Sequence, residues 1–239
     1  MNQRMPIDIL PQPDETTCGP TCLHAIYRYY NDELPLEQLV REIRRLDNGG
    51  TLAVFLACHA LRRGYRATIY TYNLQMFDPS WFDRDDIDLA DKLRRQMQYR
   101  NSQSFTTATE GYLDFLDLGG RLKYKDLTSV LIRQYLKRGT PILTGLSATY
   151  LYHSQREYEP SSIYDDIRGK PSGHFVILGG YDKDTRSVQV IDPWQPNPMA
   201  PGQEYECSMN RVIGAILLGV LTHDANLLVI ERVDTDRRQ

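Results

Sequence analysis

Two hydrophobic periods divide the chain. Between Cys18 and Tyr30, apolar residues recur one turn apart at Cys22, Ile26 and Tyr30, with Leu23 and Tyr27 beside them, which is the spacing of a helix face. Pro20 suits a first helical turn, where a missing N–H breaks no hydrogen bond. Beyond Pro35, the residues Leu36, Leu39, Val40, Ile43 and Leu46 share a second face, predicting a helix that runs to the Asn48-Gly49-Gly50 turn. A third helix is predicted from about 51 to 63, with Gly64 where a left-handed cap would stand. Further helical stretches are predicted at about 86–100, 107–118 and 128–138.

Elsewhere the period shortens. RATIYTY (66–72) and PILTGL (141–146) read as strands, and HFVILGGY (174–181) and SVQVID (187–192) flank a polar DKDTR turn as a hairpin. A short helix near 209–219 precedes a last strand, NLLVIERV (226–233). Helices first and antiparallel strands later predict an α+β fold with N-terminal helices packed on a C-terminal antiparallel sheet. No repeat or linker composition interrupts it, so residues 1–239 read as a single domain. Residues 73–120 break the pattern and are expected to be an insertion or a cap.

Composition narrows the function classes. The chain has 239 residues, 41% apolar and 25% charged, enough to bury a core without staples. Lys and Arg number 28 against 31 Asp and Glu, and the net charge of −3 argues against nucleic acid as a partner. The longest apolar run, Val212 to Leu221, is ten residues, too short for a membrane segment. MNQRMPIDIL lacks a signal-peptide core, so a cytoplasmic location with reduced thiols is expected, four cysteines being too few for a disulfide framework.

The densest chemistry is QPDETTCGPTCL, Gln12 to Leu23. Cys18 falls where coil becomes helix, so its thiol meets free backbone N–H groups and the positive end of the helix dipole, both of which favour thiolate, the nucleophilic form. Gln12, six residues earlier on an extended segment, can turn its amide to the same place and, with the Cys18 N–H, offer two donors to an oxyanion. The second window is GHFVILGGYDKDTRSVQVIDPW, Gly173 to Trp194. His174 opens one strand of the hairpin and Asp192 ends the next, so the two lie at one sheet edge. Asp192 can then hold one ring nitrogen and leave the other for the thiol proton.

In these two windows the chain resembles the papain-like superfamily of cysteine peptidases. It is most similar to the double-glycine-leader peptidases that process bacteriocin precursors, and to their stand-alone bacterial relatives. Gln12, Cys18, His174 and Asp192 match that family's oxyanion, nucleophile, base and orienting roles in order. The chain has no GxxxxGK[ST] phosphate loop, so a stand-alone member is expected rather than the exporter. The resemblance implies a cysteine nucleophile acting on peptide or related amide bonds, without cofactor or metal. Acyl- or peptidyl-transfer by the same residues is the alternative, and a catalytically silent peptide-binding domain is a third reading, disfavoured because it has no use for a nucleophile. Gly19, Gly173 and Trp194, next to the candidates, are expected to contact substrate.

The remaining candidates are weaker. Cys22 reads as core. Cys18, Cys22 and His24, or Cys58 with His59, lack the second ligand pair of a metal site. His153 is a rival base without a strand or a later partner, and His223 reads as surface. Tyr150, Tyr152, Tyr158 and Tyr164 cluster before His174 in what reads as a loop, where they could form a substrate wall, Tyr164 above all, or a solvated excursion.

Overall fold

The predicted change of period is present in the computed structural model, which describes residues 3–46, 49–84, 86–100, 102–158, 163–222 and 225–233. In chain order the elements are β1 (Gln3–Arg4), α1 (Cys18–Tyr29), α2 (Leu36–Glu42), α3 (Ala53–Arg62), β2 (Arg66–Thr71), α4 (Leu89–Met97), α5 (Gln103–Asp117) and β3 (Arg121–Lys123). There follow α6 (Ser129–Leu136), β4 (Ile142–Ser147), α7 (Ala148–Tyr152), β5 (Glu157–Tyr158), β6 (Ile163–Tyr164) and β7 (Gly173–Asp182). The last are β8 (Ser187–Ile191), β9 (Glu204–Ser208), α8 (Met209–Leu218) and β10 (Asn226–Glu231). His223 and Asn48 lie outside the described residues.

The described residues form an eight-stranded sheet in the order β3-β2-β10-β4-β7-β8-β9, with β1 also on β7. Every neighbouring pair is antiparallel except β2 with β3. β4 covers β7 from Gly173 to Leu178, and β1 takes over the same edge at Gly180 and Tyr181. The N-terminal arm continues this pairing, Met5 N–H donating to Gly179 O, and buries Met5, Ile7 and Ile9 in strict alternation. β2 and β3, from the helical half, join the sheet beside β10, so the sheet is not built from the C-terminal half alone.

α1 is more deeply set than an amphipathic helix. Its first ten residues are all buried, as expected of a helix enclosed on every side. Leu23, Ile26 and Tyr27 are fully buried, each worth about 1.5–3 kcal/mol by apolar burial. The Cys22 thiol donates to Phe175 O at 3.3 Å, so this helix lies directly on β7.

α2 is shorter than its apolar pattern predicts. It stops at Glu42, and Ile43 is already extended. Leu46 N–H instead donates to Gly50 O, and Thr51 Oγ1 to Arg44 O, a loop whose internal bonds replace another helical turn. The loop packs against the start of α1: a Cβ on Gly19 would lie 2.7 Å from Thr51 Cγ2. Gly64 has φ +85°, the left-handed cap its position predicts.

Within 73–120, α5 packs on α3. Tyr112 and Phe115 of α5 and Leu93 of α4 are buried, and a Cβ on Gly111 would come within 2.5 Å of Phe55. β9 escapes the sequence reading although EYECS alternates cleanly, Tyr205 and Cys207 facing in and the residues between them out. The stretch before His174, read as a loop, opens with α7 and contains the β5–β6 ribbon. Among the described residues no helix is long and apolar enough to cross a membrane.

Candidate active site

Cys18 is the first residue of α1 and is 9% exposed. The preceding turn is fixed by Asp14, whose Oδ1 accepts from Thr16 N–H at 2.8 Å and whose carbonyl accepts from Thr17 Oγ1 at 3.1 Å. Thr17 is the N-cap residue, but with its hydroxyl committed to Asp14 it makes no side-chain cap. The first N–H groups of the helix have no carbonyl four residues back within it, so donors remain at the position of the Cys18 thiol.

His174 is the second residue of β7, opposite Leu146 of β4, and its Nε2 lies 2.8 Å from Asp192 Oδ1. A carboxylate only accepts, so Nε2 carries the hydrogen and Nδ1 is the nitrogen left for Cys18. Cys18 lies close enough to the His174 ring to act on its charge. Both partners of the His174–Asp192 pair are removed from water, at 2% and 0% side-chain exposure. Burial opposes a charged ring, but the Asp192 carboxylate and Cys18 outweigh it and hold the His174 pKa well above the usual imidazole value. Burial likewise opposes the Asp192 charge; the His174 charge, its hydrogen bond, the Trp194 N–H and the Tyr152 hydroxyl overcome it and keep the carboxyl below its ordinary range.

Gln12 is tied to the same edge by its backbone, N–H to Pro193 O at 2.9 Å. Its side-chain Nε2 donates to Asp14 O at 2.8 Å, and an amide nitrogen has a second hydrogen to give. Trp194 packs its ring edgewise on His174, centroids 5.7 Å apart at 77°, and its backbone N–H donates to Asp192 Oδ1 at 3.0 Å. The fold thus gathers Gln12, Cys18, His174, Asp192 and Trp194.

The other expected contact residues fall differently. Gly19 is buried against Thr51, Leu56 and Phe175, and a Cβ on Gly173 would meet Thr222 Oγ1 at 2.7 Å, so close packing accounts for both glycines. Tyr164 lies exposed on β6 of the separate two-stranded ribbon, without hydrogen bond or ring contact to His174. His153 caps α7 with φ 55° and stacks its ring edge on Tyr150 rather than entering the site. Its neighbour does enter: Tyr152 Oη donates to Asp192 Oδ2 at 2.7 Å, and Tyr205 Oη to the same oxygen at 2.9 Å. Sequence reasoning missed both roles. The alternation of EYECS was the available signal for Tyr205, whereas nothing local marks Tyr152.

The remaining thiols are set apart by burial. It pushes Cys22 far above the usual thiol range and Cys58 to about 12, and it raises Cys207 as well.

No curated protein matches the chain in sequence. The model of the Peptidase_C39-like family matches residues 4–212. Among solved structures the chain is similar to a putative C39-like peptidase from Bacillus anthracis, at 11% identity over 98% of each chain, with a TM-score of 0.52. It is similar too to xylellain, a cysteine protease from Xylella fastidiosa, at 12% identity over 97% of this chain and 86% of that one, with a TM-score of 0.50. At such identities the likeness is one of fold, and the fold is the papain-like one. The family match spans most of the chain: the chain belongs to the C39-like family of papain-like cysteine peptidases.

Proposed function

We propose that the protein hydrolyses peptide or related amide bonds, with Cys18 as nucleophile. His174 Nδ1 takes the thiol proton and returns it to the leaving amine, while Asp192 holds the ring through Nε2. As the sulfur attacks, the carbonyl oxygen becomes an oxyanion, accepted by the first N–H groups of α1 and the second amide hydrogen of Gln12. Water then attacks the thioester, the thiolate leaves, and the carboxylic acid is released. The observation that supports this reading is the His174–Asp192 pair, excluded from water, with Cys18 at the start of α1 close enough to act on the ring's charge.

The experiment is to incubate a proteome-derived peptide pool with the protein and with Cys18→Ala, then map new termini by mass spectrometry. New termini in the first sample alone support hydrolysis. Adding a primary amine distinguishes acyl transfer, because amide products would then replace free carboxyl ends. Identical peptide lists from the two proteins would sink the reading.

A further inference from the structure

We propose that Tyr152 and Tyr205 are positioning residues of this site, whose hydroxyls hold Asp192 as an ionised carboxylate that cannot turn away from the His174 ring. The inference rests on the reading of Cys18, His174 and Asp192 given above and adds the means by which the third member is kept in working form.

Hydrogen counting carries it. Oδ1 accepts from His174 Nε2 at 2.8 Å and from Trp194 N–H at 3.0 Å. Oδ2 accepts from Tyr152 Oη at 2.7 Å and Tyr205 Oη at 2.9 Å. A carboxylate has about four lone-pair directions, and here each faces a donor. A proton on either oxygen would bring a fifth hydrogen among four that already converge. The neutral acid therefore forms only if one of these donors turns away, and rotation about the Cβ–Cγ bond would break all four bonds together.

The donors come from separate parts of the fold: the end of α7, the first residues of β9, the first residues of β7, and the loop after β8. Tyr205 is brought there by register, since Val190 pairs with Tyr205 and Asp192 N–H continues the ladder to Gln203 O. Tyr205 is buried and Tyr152 partly buried, and both hydroxyls are committed to Asp192 Oδ2. Burial, and after it the neighbouring carboxylate, raises both phenol pKa values, so they remain donors throughout the working range. A water at Oδ2 could supply the same bonds but could also leave or reorient.

The test is the rate of Cys18 alkylation by iodoacetamide against pH in the wild type, Tyr152→Phe, Tyr205→Phe and the double variant. Without two donors the buried carboxyl takes up a proton more readily, and below that point the imidazolium loses its counter-charge. The acid limb of the double variant should move up by about one pH unit, and that of each single variant by about half of that, with the neutral plateau within about twofold of wild type. The His174 Nε2–H resonance, followed by proton–nitrogen NMR, should be lost at correspondingly higher pH. Acid limbs that coincide with the wild type would overturn the proposal. So would a loss of rate that is parallel at all pH values and tracks a lowered melting temperature, the behaviour of residues that only support packing. Failure of wild-type Cys18 to label at all would instead overturn the functional reading on which the proposal rests.

Discussion

The backbone N–H of Gln12 donates to the carbonyl oxygen of Pro193 at 2.9 Å. That bond joins the segment leading into the nucleophile helix to the loop leaving the carboxylate. Gln12 and Asp192 are therefore held by one local contact, although most of the chain separates them. The Gln12 side chain reinforces the arrangement by bonding Asp14 O, in the turn that sets the start of α1. With the backbone so anchored, the side chain can be removed without releasing the segment.

Gln12→Ala should accordingly leave folding and Cys18 alkylation near wild type while lowering turnover by about 10²–10³, the usual cost of one oxyanion donor. Turnover is measured on a peptide recovered from the cleavage map. Unchanged turnover would assign Gln12 to the turn alone.

Cys18 should be the thiol that iodoacetamide reaches first at about pH 7. Cys22, Cys58 and Cys207 are at most 4% exposed, and burial raises the pKa of each. Peptide mapping after brief alkylation checks this, and faster labelling of any of the three contradicts the site.

Stability should depend on pH through the buried pair. The lowered Asp192 pKa contributes above about pH 4, and that contribution is lost as pH falls through the folded value. The raised His174 pKa contributes fully below about 6.5, and its contribution is lost as pH rises through the folded value. The windows overlap between about pH 4 and 6.5, where the pair helps most. The melting-temperature advantage of wild type over Asp192→Ala should peak there and narrow toward alkaline pH. Removing one partner of such a pair costs about 3–5 kcal/mol. An advantage that stays constant across the range would show that the pair is not charged in the folded protein.

Asp192→Asn should be harmful to both stability and turnover. An Asn oxygen can accept the ring N–H, so a mild effect would be expected from the His174 contact by itself. However, the Asn nitrogen would bring two hydrogens toward two phenols that are themselves donors. At least one buried hydrogen is left without an acceptor, at a cost of about 1–3 kcal/mol. Calorimetry and turnover should both fall in this variant, with turnover remaining above that of His174→Ala. Wild-type values for both would refute the hydrogen count.

Gly111→Ala tests whether residues 73–120 are a cap or part of the core. The added Cβ would press on Phe55 and Val54 of α3. Such overpacking costs about 1–3 kcal/mol. We expect a single unfolding transition shifted to lower temperature, the behaviour of a segment integral to the domain. A separate early transition with the main one unmoved would make the segment an autonomous cap.

Local pattern was enough for much of this protein. The helix beginning at Cys18, the hairpin around DKDTR and the cap at Gly64 all follow from periodicity and from residue types a few positions apart. Such features depend on short-range hydrogen bonds and on which face of an element is apolar, and both are written in neighbouring residues. The early end of α2 was not legible, because loop bonds and contact with Gly19 overrode a continuing apolar stripe.

Only tertiary structure decided whether His174 and Asp192 face each other. From Asp182 to Gly180, β7 pairs with β8 in one register, and at Gly179 a bulge shifts it by a residue, so that Leu178 faces Val190 and Ile177 faces Ile191. Continued by one residue, this register sets Asp192 opposite Val176, on the same sheet face as His174. Without the bulge Asp192 would oppose Ile177 and point to the other face, since side chains alternate with period two. The tyrosines that complete the site arrive by the same kind of long-range decision. Tyr205 depends on the pairing of β9 with β8, and Tyr152 on where α7 ends above them. Register and packing between distant segments are properties of the folded chain, and no local stretch of sequence contains them.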